Sequence, residues 1–295
     1  MRSYLPDYDL VSPASLDEAL ALLAGDPGGY RPIAGGTDLM VVLNAGRLPV
    51  AKFLDLSRCG ELRGIQETGT HLSLGALTTF TEVRDCRAVH QHFPNLVKSA
   101  RLTGALAIQN RGTLGGNIVN ASPAADTPPS LLAYGAEVEL VSERGSRRVA
   151  YEAFHLGYKK MDLAPDELLH RIIVPKPSGR TFHFYRKVGT RQAQAISKIC
   201  LAAFARIEHG VVAEVRVGLG SIAPVPARAR NAEAVILGRP VESLPVQEAQ
   251  RAFLADISPI DDIRSTAHYR GVVARNVLGQ MLRELSAMNP QASSG

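Results

Sequence analysis

Apolar residues recur along the chain with the two periods that separate helix from strand. Leu16, Ala19, Leu20 and Leu23 follow at helical spacing behind Ser15-Leu16-Asp17-Glu18, a serine–glutamate spacing that predicts a capped helix start. The breaker run Gly25-Asp26-Pro27-Gly28-Gly29 ends that helix. Residues 39–43 predict a second helix, Phe53-Leu54-Asp55-Leu56 a short strand, and 71–76 an alternating strand. Thr79-Phe80-Thr81-Glu82 predicts another capped helix, and a helical stretch follows around 96–100. Thr127-Pro128-Pro129 predicts a capped short helix through Leu131 and Leu132, with proline in the first turn, where its missing N–H costs nothing. Residues 138–141 and 147–150 read as hairpin strands, and 171–174 as a further strand.

Pro175-Lys176-Pro177-Ser178-Gly179 interrupts this pattern and divides the chain into residues 1–177 and 181–288. Beyond it, Phe182 and Phe184, residues 203–207 and residues 211–217 predict three antiparallel strands, with Glu208-His209-Gly210 as the tight turn between the last two. Ser265 is expected to cap a long helix in which Tyr269, Val272, Val273, Val277, Met281, Leu282 and Leu285 follow helical spacing. The tail from 289 to 295 is expected to be disordered. No internal repeat or low-complexity segment is present.

Two glycine-rich segments stand out: Pro32-Ile33-Ala34-Gly35-Gly36-Thr37-Asp38-Leu39 and Arg111-Gly112-Thr113-Leu114-Gly115-Gly116-Asn117. Glycine permits positive φ and lets a ligand approach main-chain N–H groups with no Cβ in the way. Consecutive N–H groups in such a turn form an anion-binding nest. Two nests would hold two phosphates without a lysine, and a helix opening at Leu39 would add its first N–H groups. A third glycine pattern, Gly218-Leu219-Gly220-Ser221-Ile222-Ala223, imitates a dinucleotide fingerprint. Pro224 and Pro226 follow at once and forbid the helix that such a fingerprint requires, so this segment reads as a strand end and loop.

The first glycine segment resembles the first FAD loop of the flavin subunit of molybdenum hydroxylases. Ile-Gln-Asn-Arg-Gly-Thr-Leu-Gly-Gly-Asn-Ile-Val-Asn-Ala-Ser-Pro-Ala-Ala-Asp, from Ile108 to Asp126, resembles that family's second FAD loop. Two further blocks are similar: Leu156-Gly157-Tyr158-Lys159-Lys160 with Leu163 to Leu169, and Phe184 to Arg191 with Ala195-Ile196. The resemblance runs from Tyr8 to Leu285 and favours the xanthine dehydrogenase branch over the carbon monoxide dehydrogenase branch.

That resemblance implies an α+β chain: a two-subdomain FAD-binding domain of the PCMH/vanillyl-alcohol-oxidase-like type, then a small domain of a three-stranded antiparallel sheet with helices. It implies that Pro32, Ile33, Ala34, Gly35, Gly36, Thr37, Asp38 and Leu39 wrap the FAD pyrophosphate. Thr113, Gly115, Gly116 and Asn117 would bind phosphates and ribitol from the other side, and Asp126 would accept from the adenosine ribose. Leu39 and Val119 would pack near the isoalloxazine, Leu169 lies in the third similar block, and Lys187 would lie close to the flavin ring as its catalytic cation. Thr103 stands where vertebrate members stack an aromatic residue on adenine, which leaves adenine stacking to another group. Partners follow from the same resemblance: a large molybdopterin subunit and a small [2Fe-2S] subunit, assembled as a dimer of heterotrimers, with NAD+ or another acceptor taking the electrons.

Composition narrows this reading without overturning it. The content of 45% hydrophobic and 21% charged residues is that of a globular protein. No apolar stretch is long enough to span a membrane, and residues 1–7 lack a signal-peptide core, so a cytoplasmic protein is expected. Net charge is +5, but Lys and Arg are dispersed, and the densest group, Arg144-Gly145-Ser146-Arg147-Arg148, falls at an expected hairpin turn. With no Trp and 5% aromatics, nucleic-acid stacking is not expected. Cys59, Cys86 and Cys200 have no metal-ligand spacing and read as buried, reduced thiols, so an iron–sulfur centre belongs to another polypeptide. No metal site is expected in this chain, and no hydrolytic motif competes. A stand-alone flavin oxidase or dehydrogenase, and a non-catalytic binding module on the same fold, remain as alternatives. Activity without partners would favour the first, and a colourless protein despite added FAD the second.

Overall fold

The computed structural model describes residues 8–46, 52–191 and 194–288. The expectations for residues 1–7 and for the tail from 289 lie outside these. The chain opens with a parallel three-stranded sheet ordered Asp9–Val11, Lys52–Asp55, Arg31–Ile33. Helix Leu16–Gly25 covers it and buries Leu16, Ala19, Leu20 and Leu23, the four residues at helical spacing. Ser15 Oγ accepts from the Glu18 N–H, but the Glu18 carboxylate turns back to the Ala14 N–H rather than to that of Ser15.

A five-stranded antiparallel sheet follows, ordered Ile65–Glu67, His71–Gly75, Leu168–Pro175, Glu137–Ser142, Gly145–Ala150. Thr79 and Glu82 form a complete capping box at the start of helix Phe80–Asp85. The basic cluster at the 137–150 hairpin is spent on acidic neighbours: Arg144 on Asp166, Arg147 on Asp162 and Glu167, Arg148 on Glu139.

The last sheet has four strands rather than three: Arg180–Val188, Ile199–Glu208, Val211–Gly220 and the short Ala227–Arg228. The fourth escapes sequence pattern because two prolines precede it and only two residues pair. His209 and Gly210 both take positive φ in the expected turn. This sheet is buried on both faces. Cys200, Ala202 and Phe204 join the core of the first unit, while Leu201, Ala203 and Ala205 face the C-terminal helices. On the neighbouring strand, Tyr185 joins the first core, and Phe182 and Phe184 the second. Because the strand period is two, Lys187 shares the face of Tyr185 and is aimed at the first unit.

Gly218 and Gly220 explain the false fingerprint. A Cβ on Gly218 would lie 2.1 Å from the Pro129 carbonyl oxygen, and one on Gly220 would lie 3.1 Å from Pro129 Cγ. Both glycines let helix Pro128–Ala133 sit on the strand. Thr266, not Ser265, caps the long helix Ala267–Ser286. Its buried stripe runs through Arg270, Ala274, Val277, Leu278, Met281, Leu282 and Leu285, leaving Tyr269 and Val272 on its outer side. Cys59 and Cys200 are buried; Cys86 is only half-buried.

Two imidazoles stay neutral inside this architecture. His155 Nε2 lies 3.1 Å from the Tyr151 hydroxyl, and His183 Nδ1 lies 3.1 Å from that of Tyr134, across the two units. Burial holds both at about 4, and the Lys98 charge adds to the effect at His183. The unfolded chain therefore takes up these protons first. Their contribution to stability is complete above about pH 6.5 and is lost as pH falls towards 4. Urea midpoints should drop across that interval, and His183→Gln should flatten the drop; a variant profile parallel to the parent's would show that His183 does not titrate with unfolding.

Candidate functional site

Strand Arg31–Ile33 runs directly into the first glycine loop, which ends at helix Leu39–Asn44. Gly36 takes φ +72°, a conformation glycine adopts without penalty. Gly35 is required by space: a Cβ there would stand 1.8 Å from the Arg111 carbonyl oxygen and 2.5 Å from its carbon. The two glycine segments, far apart in sequence, thus touch backbone to backbone. The N–H groups of Gly35, Gly36, Thr37 and Asp38 donate to none of the described residues. Unlike most half-buried backbone, this run is left open.

The second segment differs. It contains helix Leu114–Val119, capped by Thr113, whose Oγ accepts from the Gly116 N–H at 3.0 Å. The Gly115 N–H donates to the Ala76 carbonyl and that of Leu114 to the Thr78 carbonyl. The expected pair of nests is therefore one open nest and one capped helix, because the second loop spends these donors inside the protein. Its glycines also differ from each other. A Cβ on Gly115 would meet Ala76 at 2.7 Å, so Gly115 serves packing. A Cβ on Gly116 would meet nothing within 4 Å except Thr113 Oγ, at 2.8 Å, so this residue opens onto exposed surface.

Hydrogen bonds tie the rest of the site to these loops. Asn120 Nδ2 donates to Asp38 Oδ2 at 3.0 Å, while Lys159 Nζ donates to the Asn120 carbonyl and, at 3.0 Å, to its Oδ1. Thr127, expected to cap its helix, makes no side-chain cap; its hydroxyl donates to Asn117 Oδ1 at 2.5 Å instead. Beside it, Asp126 is buried. Its Oδ2 accepts from Lys187 Nζ at 2.7 Å and its Oδ1 from Ser197 Oγ at 2.5 Å. Lys187 Nζ also donates to the Leu102 carbonyl at 2.8 Å. Tyr185 OH donates to the Asp126 carbonyl at 3.1 Å, with the Cys200 thiol against it. Burial raises the Asp126 carboxyl, and the Lys187 charge opposes that rise; burial also pushes the Cys200 thiol well up.

Residues 32–39, Thr113, Gly116, Asn117, Asp126 and Lys187 therefore form one connected constellation. Asp126 and Lys187, expected to accept from the adenosine ribose and to lie close to the flavin ring, bond to each other; their side chains are 10% and 4% exposed. Val119 is half-buried against the first core, and Leu169 is buried within it, beside an irregularity in the strand pairing. Thr103 ends helix Pro94–Leu102, and its hydroxyl donates to the Ser99 carbonyl. Sequence reasoning missed Ser197, Asn120 and Thr127 as polar partners. Asn120 and Ser197 fall within or next to the similar blocks, but nothing local marks what their side chains reach. Among the described residues no cluster of metal-ligating side chains is present, and no helix is long and apolar enough to cross a membrane.

The donor set suits a phosphate-bearing cofactor: an open run of N–H groups, no side chain at Gly35 or Gly36, and a bare surface at Gly116. Residues 6–177 match the family described as the FAD-binding domain in molybdopterin dehydrogenase, and 183–285 match the CO dehydrogenase flavoprotein C-terminal domain. The chain is 32% identical over 279 residues to a putative xanthine dehydrogenase FAD-binding subunit of Escherichia coli, covering 93% of this chain and 94% of that one. It is 29% identical to the carbon monoxide dehydrogenase medium chain of Hydrogenophaga pseudoflava, over 94% of this chain and 95% of that one. The carbon monoxide dehydrogenase structure from that organism superposes with a TM-score of 0.92 at 30% identity, covering 96% of this chain and 99% of its counterpart. Quinoline 2-oxidoreductase from Pseudomonas putida superposes at 0.88 and 26% identity, with 96% and 98% covered. Fold, glycine loops and both domain matches agree: the chain belongs to the FAD-binding medium subunits of the molybdenum hydroxylases, the flavin component of oxidoreductase complexes.

Proposed function

We propose that this subunit, of a xanthine-dehydrogenase-like complex, takes electrons from [2Fe-2S] clusters of a small partner and passes them to NAD+. Substrate hydroxylation would belong to a large molybdopterin-bearing partner, in a cytoplasmic dimer of large–medium–small heterotrimers. Residues 1–177 would form the FAD-binding unit and 181–288 the second unit. The names of the E. coli and H. pseudoflava relatives support this division of labour. FAD would supply the redox chemistry that no side chain here can perform.

The chain's own residues bind and orient. The single observation that carries the reading is the open run of N–H groups from Gly35 to Asp38, held against the second loop by the Gly35–Arg111 contact. These donors suit the negative oxygens of a pyrophosphate. Gly116 leaves room for close approach, and Asn117 is held in orientation by Thr127. Asp126, fixed by Lys187 and Ser197, keeps lone pairs for ribose hydroxyls. Asp38 and Asn120 clasp each other beside Leu39 and Val119, the residues proposed to flank the ring.

Reconstitution with both partners tests the acceptor. Substrate should bleach the flavin absorption anaerobically, and NAD+ should restore it in stopped flow. Restoration by a quinone or by oxygen alone, with NAD+ inert, would refute the NAD+ assignment. Bleaching of the isolated chain by a small substrate, without partners, would favour a stand-alone enzyme.

A further inference from the structure

Lys159 occupies an unusual place. It is the last of two turn residues in the small hairpin formed by His155–Gly157 and Lys160–Met161, and it holds φ +58°, the left-handed region that a side chain disfavours. Strain of this kind persists only where surrounding contacts over-determine the residue. Here those contacts are with Asn120, at the end of the second-loop helix, and through Asn120 with Asp38 at the end of the first loop. The hairpin is thereby pinned across the junction of both glycine segments. Two of the three ammonium hydrogens are used on Asn120, and no other described residue accepts the third. Tyr158 and Leu156 nearby in the chain are 68% exposed and Lys159 is exposed itself, so this hairpin tip is open to a ligand.

Lys187 contrasts in its surroundings. It too donates to two oxygens, but it is buried and one of those oxygens is the Asp126 carboxylate, which compensates its charge at 2.7 Å. A cation neutralised so closely exerts little net field on a third group.

We infer that Lys159, rather than Lys187, is the cation that sets the redox balance of the bound flavin. The inference rests on the proposed placement of the ring beside Leu39 and Val119, whose chain neighbours Asp38 and Asn120 are the residues that hold Lys159. A positive charge at the ring favours the reduced cofactor, on which negative charge accumulates. Partial desolvation holds the Lys159 ammonium below the usual lysine range, opposed by Asp38 and aided by Arg31, while the residue itself is exposed and open to a ligand. Lys159 is thus a positioning and tuning residue of the cofactor site.

The test is a redox titration of the FAD-loaded full chain in parent, Lys159→Met, Lys159→Gln and Lys159→Arg forms, with apo melting temperature as the check on folding. Met and Gln should retain FAD and disfavour the reduced form about tenfold, a fall of about 30 mV for a two-electron couple. Arg should keep the parent potential. If the Met form fails to fold, the Gln form, which retains an amide donor, carries the comparison. An unchanged potential, or loss of FAD from a folded variant, would overturn the inference. Failure of the parent itself to bind FAD would instead overturn the functional reading on which it rests.

Discussion

Lys187→Ala is expected to destabilise the apo-protein by about 3–5 kcal/mol at neutral pH, because it strands a buried carboxylate. Asp126 would keep Ser197 as its side-chain partner but lose the charge that opposes its desolvation. Its carboxyl would then titrate further above the ordinary value, and the folded state would hold a proton that the unfolded state releases. The cost should therefore be small in acid, below the ordinary carboxyl value, and should grow as pH rises through the raised one. Urea denaturation of parent and variant from pH 4 to 8 measures this. Asp126→Asn combined with Lys187→Met should recover most of the loss, since neither buried group then carries charge. A single variant as stable as its parent at pH 8 would mean that the pair is not buried as described. The sequence alone suggested a milder outcome, with FAD retained and only its potential lowered; the Asp126 contact changes that expectation.

Gly35→Ala should have the second large effect. Its Cβ would fall 1.8 Å from a backbone carbonyl oxygen, and no rotamer change can relieve a clash between two main chains. The loops must move apart, at a cost of about 1–3 kcal/mol for an overpacked contact. Loss of one hydrogen bond to a charged phosphate costs about 1.5–3 kcal/mol, so FAD affinity should fall roughly tenfold to a hundredfold. Gly116→Val provides the contrast. Its Cβ meets only the Thr113 hydroxyl, so apo stability should fall by about 1 kcal/mol through the disturbed cap, while FAD affinity falls much further. Isothermal titration beside apo melting curves separates the two. Equal FAD affinity in Gly35→Ala and parent would refute the role given to the loop contact, and equal affinity in Gly116→Val would refute close approach of ligand at Gly116.

The parts of this fold governed by local rules were legible. Ser15, Thr79, the apolar stripe of 16–23 and the hairpin turn at His209-Gly210 each follow from chemistry within a few residues. The glycine loops were legible as strings, but their division of labour was not. Whether a glycine serves a ligand or a neighbour depends on what lies opposite, and Ala76, which excludes a side chain at Gly115, is remote in sequence. The same holds for Lys187. Its partner Asp126 is 61 residues away, and the pairing depends on which face of the strand meets the first unit. Strand alternation fixes that face only once the sheet is known to be buried on both sides. Thr127 illustrates a local rule overridden: it stands where a helix cap is expected, yet its hydroxyl is drawn to Asn117 by the packing of the second loop.

The most direct measurement is a titration of the purified full chain with FAD, read by flavin absorption and heat, with metal analysis of the same sample. Saturable binding of one FAD per chain through the open N–H run at Gly35–Asp38 is expected, with neither iron nor molybdenum present. A folded chain that shows no saturable FAD binding, or that carries stoichiometric iron, would contradict it.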